Sequence, residues 1–418
     1  MATSSATVRV FATLDGALPT PPTAVPAPAP ALTKPDHITN VVLLGNDVEW
    51  PQGGRTDSII IVSINREAKT ATMLSLPRDL YVYIPGWRMT RINLALPHGH
   101  GSGYPGGGGG LIKDTILYNF GVPIDSYVRV GFNSFKQAVD SVGGVEVVVN
   151  CPLRDWRLKS PELDPTVEEN WEQFTLEPGI HTMDGDLALW YVRSRLSTND
   201  FERGRRQQQI LRALFNQGLR LNLLPQIPRL WDTYQESVET DVTLPLMLEL
   251  AALAPEVRDN GLAHLSLAGE AVRAWRVPTT GETVQLIQWP QAQPVFERLM
   301  RPPALSQVTR PTMRVEVVTA SDTMYRRVAE NLAWYGFVPV RADRDEPAPG
   351  RTRIYYYAPN FKESYVGLLS WIFHQEAGDV GLVREAEAGN TSYRIVLGRD
   401  VNPCLPQLEA PDFDETES

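Results

Sequence analysis

Three apolar runs near the start of the chain have the length of β-strands and do not alternate with polar residues. They occupy residues 41–44, 58–64 and 71–76 and are rich in valine, isoleucine and leucine. Strands that are covered on both faces of a sheet have this continuous pattern, whereas half-exposed strands alternate. The three runs therefore predict strands that are buried on both faces of an α/β sheet.

Helical and strand patterns alternate after these runs. Residues 111–120 have the period of an amphipathic helix that ends at Gly121, and residues 127–130 predict a strand. Asn133 is expected to cap a following helix, and residues 145–149 predict a further strand. This alternation predicts a mixed sheet flanked by helices on both faces.

Two segments between these elements show no regular pattern. The glycine-rich tract over residues 99–110 lacks the Lys-Ser/Thr ending of a P-loop, and we interpret it as a mobile loop that could act as a lid. Residues 151–178 are polar and contain prolines, which indicates an insertion loop, and residues 179–186 are expected to form a turn.

The last third of the chain predicts helices and then a small second domain. Residues 226–303 are expected to be helical, most clearly from Thr243 onward, and to complete the first domain. A proline-rich joint follows, and beyond it come two strand-helix-strand units, with Gly336 as the C-cap of the first helix.

These patterns divide the chain into four predicted parts. They are a Pro-rich disordered spacer (1–36), a first domain (37–305), a small α/β domain (312–402) and an acidic tail (403–418). The prolines of the spacer favour an extended polyproline conformation. A spacer at the start of a chain suggests that an anchor preceded it, although a plain disordered tail explains the composition equally well.

Composition narrows the possible functions. The chain has 418 residues and a formal net charge of −10, from 39 Lys+Arg and 49 Asp+Glu, which argues against a general nucleic-acid binder. The two cysteines, Cys151 and Cys404, form no Cys/His cluster with zinc-ligand spacing, and a disulfide between them stays an open alternative. No run reaches the roughly eighteen apolar residues of a membrane span.

Residues 191–209 concentrate five arginines, two acids and four amides. The period of two over Leu189, Tyr191, Arg193 and Arg195 predicts a strand that points both guanidinium groups to one side. From Asn199 or Asp200, either of which could be the N-cap, the spacing becomes helical and stacks Arg203, Arg206 and Gln207 on one stripe. Because helix N-termini and arginine forks both bind phosphate oxygens, we interpret the stretch as a polyanion site, with surface ion pairs as the alternative.

Acidic and basic residues also cluster where the first three predicted strands end. Asp47 follows the first strand, Arg55 and Asp57 precede the second, and Arg78 and Asp79 follow the third. Two carboxylates that meet across a loop can hold Mg²⁺ or Mn²⁺ together with substrate phosphates, and these arginines, with Arg91 further on, would add positive charge.

The ordered motifs resemble one known family. The motifs are GND, RTDSII, SLPRDLYV, RINLA, DSVGGVEVVV, LEPGIHTMDGDLALWYVRSR and DFERGRRQQQIL, within about residues 39–220. This set resembles the LytR-CpsA-Psr (LCP) family, and VEVVTAS with LAWYGF resembles the small C-terminal domain of its members. Arg91 stands where the family often has lysine, and the N-terminal transmembrane helix of family members has no counterpart here.

The resemblance implies roles for the candidate residues. Asp47 and Asp57 match the metal-associated aspartates. The residues that match the catalytic and pyrophosphate-binding set are Arg55, Arg78, Asp79, Arg91, Arg193, Arg195, Arg203, Arg206 and Gln207. Either Asp57 or Asp79 would remove the proton of the attacking hydroxyl.

The resemblance also implies a function, a location and partners. Family members transfer an anionic glycopolymer from a polyprenyl-pyrophosphate carrier to peptidoglycan outside the cell, with Mg²⁺, and meet the membrane surface through the lipid substrate. Nucleic acid is not an expected partner. A hydrolase of the same carrier and a non-catalytic, lipid-phosphate-binding regulator of envelope synthesis remain as alternatives.

Overall fold

The computed structural model describes residues 25–48, 54–234, 237–300, 313–343, 347–357, 363–373, 383–385 and 393–405. The strands are β1 (Ile38–Asn46), β2 (Thr56–Asn65), β3 (Thr70–Leu76), β4 (Tyr81–Tyr83), β5 (Met89–Arg91), β6 (Ser126–Val130), β7 (Val145–Val149), β8 (Leu153–Leu158), β9 (Trp171–Leu176), β10 (Gly179–Met183), β11 (Glu239–Thr240), β12 (Leu262–Ser266), β13 (Val272–Arg276), β14 (Thr283–Ile287), β15 (Arg314–Val318), β16 (Val338–Arg341), β17 (Arg353–Tyr357), β18 (Val383–Glu385) and β19 (Tyr393–Val396).

The α-helices of the described residues are α1 (Ala95–Ser102), α2 (Gly107–Phe120), α3 (Phe132–Ser141), α4 (Gly185–Arg193), α5 (Asp200–Arg220), α6 (Ile227–Tyr234), α7 (Leu244–Ala252), α8 (Ala254–Asn260), α9 (Trp289–Leu299), α10 (Asp322–Trp334) and α11 (Glu363–Ile372). None of these helices is long and apolar enough to cross a membrane.

The chain groups into two compact units. The first contains the described parts of residues 1–145, 184–193 and 200–303, and the second contains those of residues 146–183, 194–199 and 304–418. Residues 146–183 thus group with the C-terminal region, whereas the predicted boundary between the domains lies near residue 305.

The first unit is built on a mixed six-stranded sheet in the order β11-β6-β1-β2-β3-β12. β1 pairs parallel with β6 and antiparallel with β2, and β3 pairs antiparallel with β2 and parallel with β12. The C-terminal ends of β1, β3, β6 and β12 therefore lie at the same edge as the start of β2. The three continuous apolar runs are strands, as predicted, and they lie together at the centre of the sheet.

Helices cover both faces of this sheet, which confirms the predicted fold class. On one face Val42, Ile61 and Leu74 form a core with apolar side chains of α1, α2 and α9. On the other face Ser75 accepts a hydrogen bond from Gln208 of α5 at 2.7 Å. The helices pack on the two faces of the sheet, and the edge that carries the polar residues lies between these two helical layers.

The glycine-rich tract is helical, so its prediction as a mobile loop was wrong. α1 and α2 take up most of residues 95–120, because these glycines allow close packing. A Cβ on Gly108 would lie 2.5 Å from the Leu96 carbonyl oxygen, and one on Gly109 would lie 2.1 Å from the Tyr127 ring. Glycine is needed there because no larger side chain fits.

Gly109→Ala should lower the free energy of unfolding by about 2 kcal/mol, because the added methyl group overlaps the Tyr127 ring. Gly101→Ala is the matched control, since a Cβ at Gly101 meets nothing within 4 Å. That change should raise stability by roughly 0.5–1 kcal/mol through helix propensity. Denaturant unfolding measures both, and equal effects of the two changes would contradict the packing argument.

α4 corrects a second prediction, since residues 189–195 were expected to form a strand. The side chains of Ala188, Tyr191 and Val192 are buried, which is the spacing of a helix face. Asp184 starts the helix, because its Oδ1 accepts the Leu187 N–H at 2.8 Å. Four alternating residues were too short a stretch to separate the two periods.

Four further local predictions were incomplete. Residues 151–178 contain the β8–β9 ribbon rather than a loop, and residues 179–183 form β10 rather than a turn. Asn133 lies inside α3, whose N-cap is Gly131. The segment predicted as helical after residue 226 does contain α7 with Thr243 as its N-cap, but it also contributes β12, β13 and β14.

The described part of the predicted spacer, residues 25–36, is hydrogen-bonded to the C-terminal end of α2. The Ala29 N–H donates to the Tyr118 carbonyl at 2.8 Å, and the Leu32 N–H donates to the Gly121 carbonyl at 2.7 Å. Extended proline-rich chain can make such bonds only to a neighbouring element, because it has none of its own. Residues 1–24 lie outside the described part of the chain.

The second unit has a five-stranded sheet in the order β16-β15-β19-β17-β18, with α10 and α11. The C-cap of α10 is Tyr335 rather than the predicted Gly336, which follows it with φ at +86°, the left-handed conformation that glycine favours just after a helix. Cys151 and Cys404 form a disulfide across 253 residues of sequence. Residues 403–405 of the predicted acidic tail are thus attached to this unit, and residues 406–418 lie outside the described part.

Candidate functional site

The polar edge of the central sheet is assembled by strand pairing. Asn46 at the end of β1 pairs with Thr56 at the start of β2, and Ile59 pairs with Leu76 at the end of β3. Asp47, Asp57 and Arg78 each follow or adjoin one of these positions, so three separate segments place their charged groups at one edge. Asp47 and Arg55 are exposed, and Asp57 and Arg78 are half-buried.

Arg78 is the centre of an ion-pair network. Its Nη1 donates to Asp57 Oδ1, and its Nε lies 3.6 Å from Asp79 Oδ2. Burial lowers the pKa of the guanidinium most, but the hydrogen bond to Asp57 and the charges of Asp57, Asp79 and Asp200 outweigh it and raise the pKa overall. Arg78 therefore keeps its charge, and Asp200 at the start of α5 lies within its electrostatic reach.

Arg91 extends this network along the β4–β5 hairpin. Its Nε lies 3.4 Å from Asp79 Oδ1, and its Nη2 lies 3.4 Å from Glu282 Oε1. Asp79 is thus placed between two guanidinium groups, and both predicted arginines converge on the same carboxylate.

α5 brings the distant arginine-rich stretch to this edge. A Cβ on Gly204 would lie 3.3 Å from Ser75 Cβ, so glycine permits the helix to approach β3 closely. The Ser58 hydroxyl donates to Gln207 Oε1 at 2.9 Å, which joins the start of β2 to the helix. The chain near residue 57 and the chain near residue 207 therefore meet.

The two predicted arginines of α5 have different surroundings. Arg203 is 7% exposed and its Nη2 lies 3.3 Å from Asp200 Oδ1, one turn back on the helix. Arg206 is also buried, and its Nε donates to the Tyr191 carbonyl at 2.9 Å. Arg206 thereby ties α4 to α5, and its contact with substrate stays a prediction.

Arg193 and Arg195 do not share one strand face, because α4 ends at Arg193. The Arg193 guanidinium lies 4.4 Å from the centre of the Phe132 ring, at the start of α3. Arg195 belongs to the second unit, where Asp155 Oδ2 accepts the backbone N–H groups of Arg195 and Leu196 at 2.6 and 3.2 Å. The role of each guanidinium stays a prediction.

Asp155→Ala should release the loop that carries Arg195 and slow any reaction in which Arg195 takes part by about tenfold, the effect of losing hydrogen bonds to a charged acceptor. Asp155→Asn is the matched variant, because its amide oxygen can still accept both N–H groups. Turnover assays and proteolysis of residues 194–199 measure the effect. Equal activity of the alanine variant and the unchanged protein would contradict it.

The sheet edge carries candidate oxygen ligands for a hard divalent cation, whose binding here stays a prediction. Among the described residues no group of three or more His, Cys, Asp or Glu side chains could hold a metal alone. Asp47 and Asp57 each carry a carboxylate at this edge, and a Cβ on Gly54 would lie 2.6 Å from Asp47 Oδ1, so glycine permits the close approach of Gly54 to this carboxylate. Mg²⁺ commonly takes two protein carboxylates and fills its shell with water and phosphate oxygens.

An apolar cavity of about 230 Å³ lies elsewhere in the first unit. Leu32, Phe120, Trp289 and Phe296 contribute to its wall. The cavity could take an apolar group of modest size.

Several hydrogen-bonding or ion-pairing residues were not singled out from the sequence. Ser58 lies in the RTDSII motif but was given no role, and Glu282 and Asp155 lie in none of the quoted motifs; each contacts a partner that is distant in sequence. Asp200 was noted only as a helix cap, although it also acts on Arg78 and Arg203.

Comparisons with known proteins agree with the motifs. The profile of the LytR_cpsA_psr family matches residues 20–300. The chain is 33% identical over 231 residues to the polyisoprenyl-teichoic acid-peptidoglycan teichoic acid transferase TagU of Oceanobacillus iheyensis, which covers 55% of this chain and 67% of that protein. It is 32% identical over 211 residues to TagT of Bacillus subtilis, a transferase of the same description. That match covers 49% of this chain and 60% of TagT.

A solved structure shows the same fold. The crystal structure of B. subtilis TagV matches with a TM-score of 0.51 and 26% identity, over 63% of this chain and 96% of the TagV chain. Across the two named transferases the chain spans between 60% and 67% of the relatives' own length. The family profile covers well over half of the chain, and the chain belongs to the LytR_cpsA_psr family.

Proposed function

We propose that this protein transfers an anionic glycopolymer from a polyprenyl-pyrophosphate carrier to peptidoglycan. The observation that carries the proposal is the convergence of Asp57, Arg78 and Arg203 from three distant segments on one sheet edge. Such a cationic site with two nearby carboxylates suits a diphosphate and a divalent cation. Relatives described as teichoic acid transferases identify the matching reaction class.

The reaction divides into binding, attack and release. The arginines hold the diphosphate, and a hydroxyl of the acceptor glycan attacks the phosphorus that carries the glycopolymer. The bridging P–O bond breaks, the new phosphodiester forms, and polyprenyl phosphate leaves with the electron pair. A carboxylate, Asp57 or Asp79, takes the proton of the hydroxyl.

Mg²⁺, or Mn²⁺, held by Asp47 and Asp57 would neutralise charge on the phosphate oxygens. The arginines share this task, because each donor that is already oriented lowers the barrier without reorganisation. Arg78 is suited to it, since its raised pKa keeps the group charged at every physiological pH.

We place the protein on the outer side of the cytoplasmic membrane, in the cell envelope, where it meets the membrane surface through its lipid substrate. The Cys151–Cys404 disulfide supports this location, because disulfides persist in oxidising compartments. The relatives act on peptidoglycan by their description, and peptidoglycan is the acceptor expected here.

The test uses the full chain, Mg²⁺, a polyprenyl-pyrophosphate-linked glycan with a label and peptidoglycan fragments. Transfer of the label to peptidoglycan together with release of polyprenyl phosphate would support the proposal. Release without an acceptor would indicate the hydrolase, and binding of the lipid without release would indicate the regulator.

A further inference from the structure

A buried arginine contacts the backbone of the residue that follows Asp47. Arg129 on β6 is 1% exposed, and it is among the largest fully buried side chains of the described residues. Glu239 on β11 lies opposite Arg129 in the antiparallel ladder, and its Oε2 accepts from Arg129 Nη1 at 3.1 Å. The two charges are therefore paired inside the protein.

Tyr127 completes the surroundings of Glu239. Its hydroxyl donates to Glu239 Oε1 at 3.1 Å. Burial, followed by the charge of Glu239, raises the pKa of the phenol, so Tyr127 stays protonated and keeps donating at neutral pH. His100 Nε2 lies 3.2 Å from the same oxygen. Both oxygens of Glu239 are thus occupied, and the carboxylate holds Arg129 in one orientation.

The second arm of the Arg129 fork contacts the loop. Nη2 donates to the Val48 carbonyl at 3.2 Å, while the Val48 N–H donates to Asn46 Oδ1 at 3.2 Å. The Asn46 amide also donates to the Gly54 carbonyl at 3.2 Å. Both the N–H and the carbonyl group of Val48 are hydrogen-bonded, so the backbone next to Asp47 is fixed. The Asp47 side chain itself is exposed.

Stability alone does not account for this arrangement. A buried ion pair loses hydration that its attraction only partly returns, and apolar side chains of similar volume are often at least as stabilising. A guanidinium group, however, can donate to two acceptors in fixed directions at once. Arg129 uses this property to join Glu239 to the loop.

We propose that Arg129, oriented by Glu239, is a positioning residue that sets the place of Asp47 for the transfer reaction. The inference rests on the proposed function only for the role of Asp47; the anchoring of the loop is a separate physical statement. Arg129 does not contact the diphosphate and acts through the loop backbone.

The decisive variant replaces both charges, as Arg129→Met with Glu239→Leu. Removing the pair together leaves no unpaired buried charge, so the fold should be retained. Hydrogen exchange of peptides over residues 42–48 should become roughly tenfold faster, the factor expected for loss of one hydrogen bond to a charged donor. Tyr127→Phe is the matched control, because it disturbs the same cluster but leaves the Arg129–Val48 bond.

Two further readouts separate positioning from a merely structural role. In the double variant kcat should fall by about tenfold or more while KM for the lipid substrate changes little, because Arg129 does not touch that substrate. The affinity for Mn²⁺, measured through the paramagnetic signal of the ion, should decrease. Tyr127→Phe should leave all three measurements unchanged.

Unchanged exchange over residues 42–48 in the double variant would overturn the anchoring, whatever the activity. Faster exchange with unchanged kcat and Mn²⁺ binding would overturn the positioning role. If the unaltered protein shows no transfer, the proposed function fails, but the exchange comparison still decides whether Arg129 anchors the loop.

Discussion

Arg203→Ala should lower the rate of polyprenyl phosphate release by about 100- to 1000-fold, the range seen when one oriented donor is removed from a charge-stabilising site. Arg203 is 7% exposed and is oriented by Asp200, so its guanidinium is held in place before substrate arrives. Its removal deletes a cation from the edge where Arg78 and Gln207 also lie. Single-turnover assays with the labelled lipid measure the loss.

The fold should survive this change. The Arg203–Asp200 pair is an i,i+3 pair whose carboxylate is 36% exposed, and such pairs contribute about 0–1 kcal/mol. Arg220→Ala is the matched control, since Arg220 is the exposed last residue of the same helix. It should leave turnover within about twofold, as surface changes away from a site usually do. Equal losses for the two variants would contradict the assignment of Arg203.

Asp57→Asn should abolish most of the transferase activity, and the remaining activity should require a higher Mg²⁺ concentration. Asparagine keeps the shape and an oxygen that can accept from Arg78 but removes the charge, so the cation loses one carboxylate and Arg78 loses its oppositely charged partner. We expect kcat to fall by about 100-fold and the half-saturating Mg²⁺ concentration to rise at least tenfold, with one carboxylate left to bind the ion. Titration of activity with Mg²⁺ after EDTA treatment measures both.

The control for Asp57 breaks a similar ion pair at the opposite end of the sheet. Glu249 pairs with Arg66 at 2.8 Å, just after the C-terminal end of β2. Glu249→Gln should leave the Mg²⁺ dependence unchanged. Full activity of Asp57→Asn after EDTA treatment would show that neither the metal nor this carboxylate is needed.

Much of the central fold could be predicted from local pattern. The continuous apolar runs of β1, β2 and β3 are buried on both faces, so their composition identified them without any partner. Elements that depend on packing were harder. The glycines of α1 and α2 look like loop residues in sequence, and only the neighbouring Leu96 and Tyr127 explain why they are helical.

The candidate site divides in the same way. Charged residues at strand ends were visible as a pattern because strand ends converge at one edge of a sheet. The alternation around Arg193 was misleading, because four residues fit either period when no neighbour is known. Ser58, Asp155, Arg129 and Glu239 were not predicted, since a single hydrogen-bonded side chain has no periodicity.

The sequence by itself determined the family, the central strands and the charged groups at the ends of those strands, because each motif and each apolar run is a short contiguous stretch of residues. Only the tertiary structure decided which charges meet: Asp57 with Arg78, Gln207 with Ser58, and Arg129 with Glu239 and the loop of Asp47. The physical reason is distance. Ion pairs and hydrogen bonds act over a few ångströms, whereas partners such as Ser58 and Gln207 are 149 residues apart in the sequence.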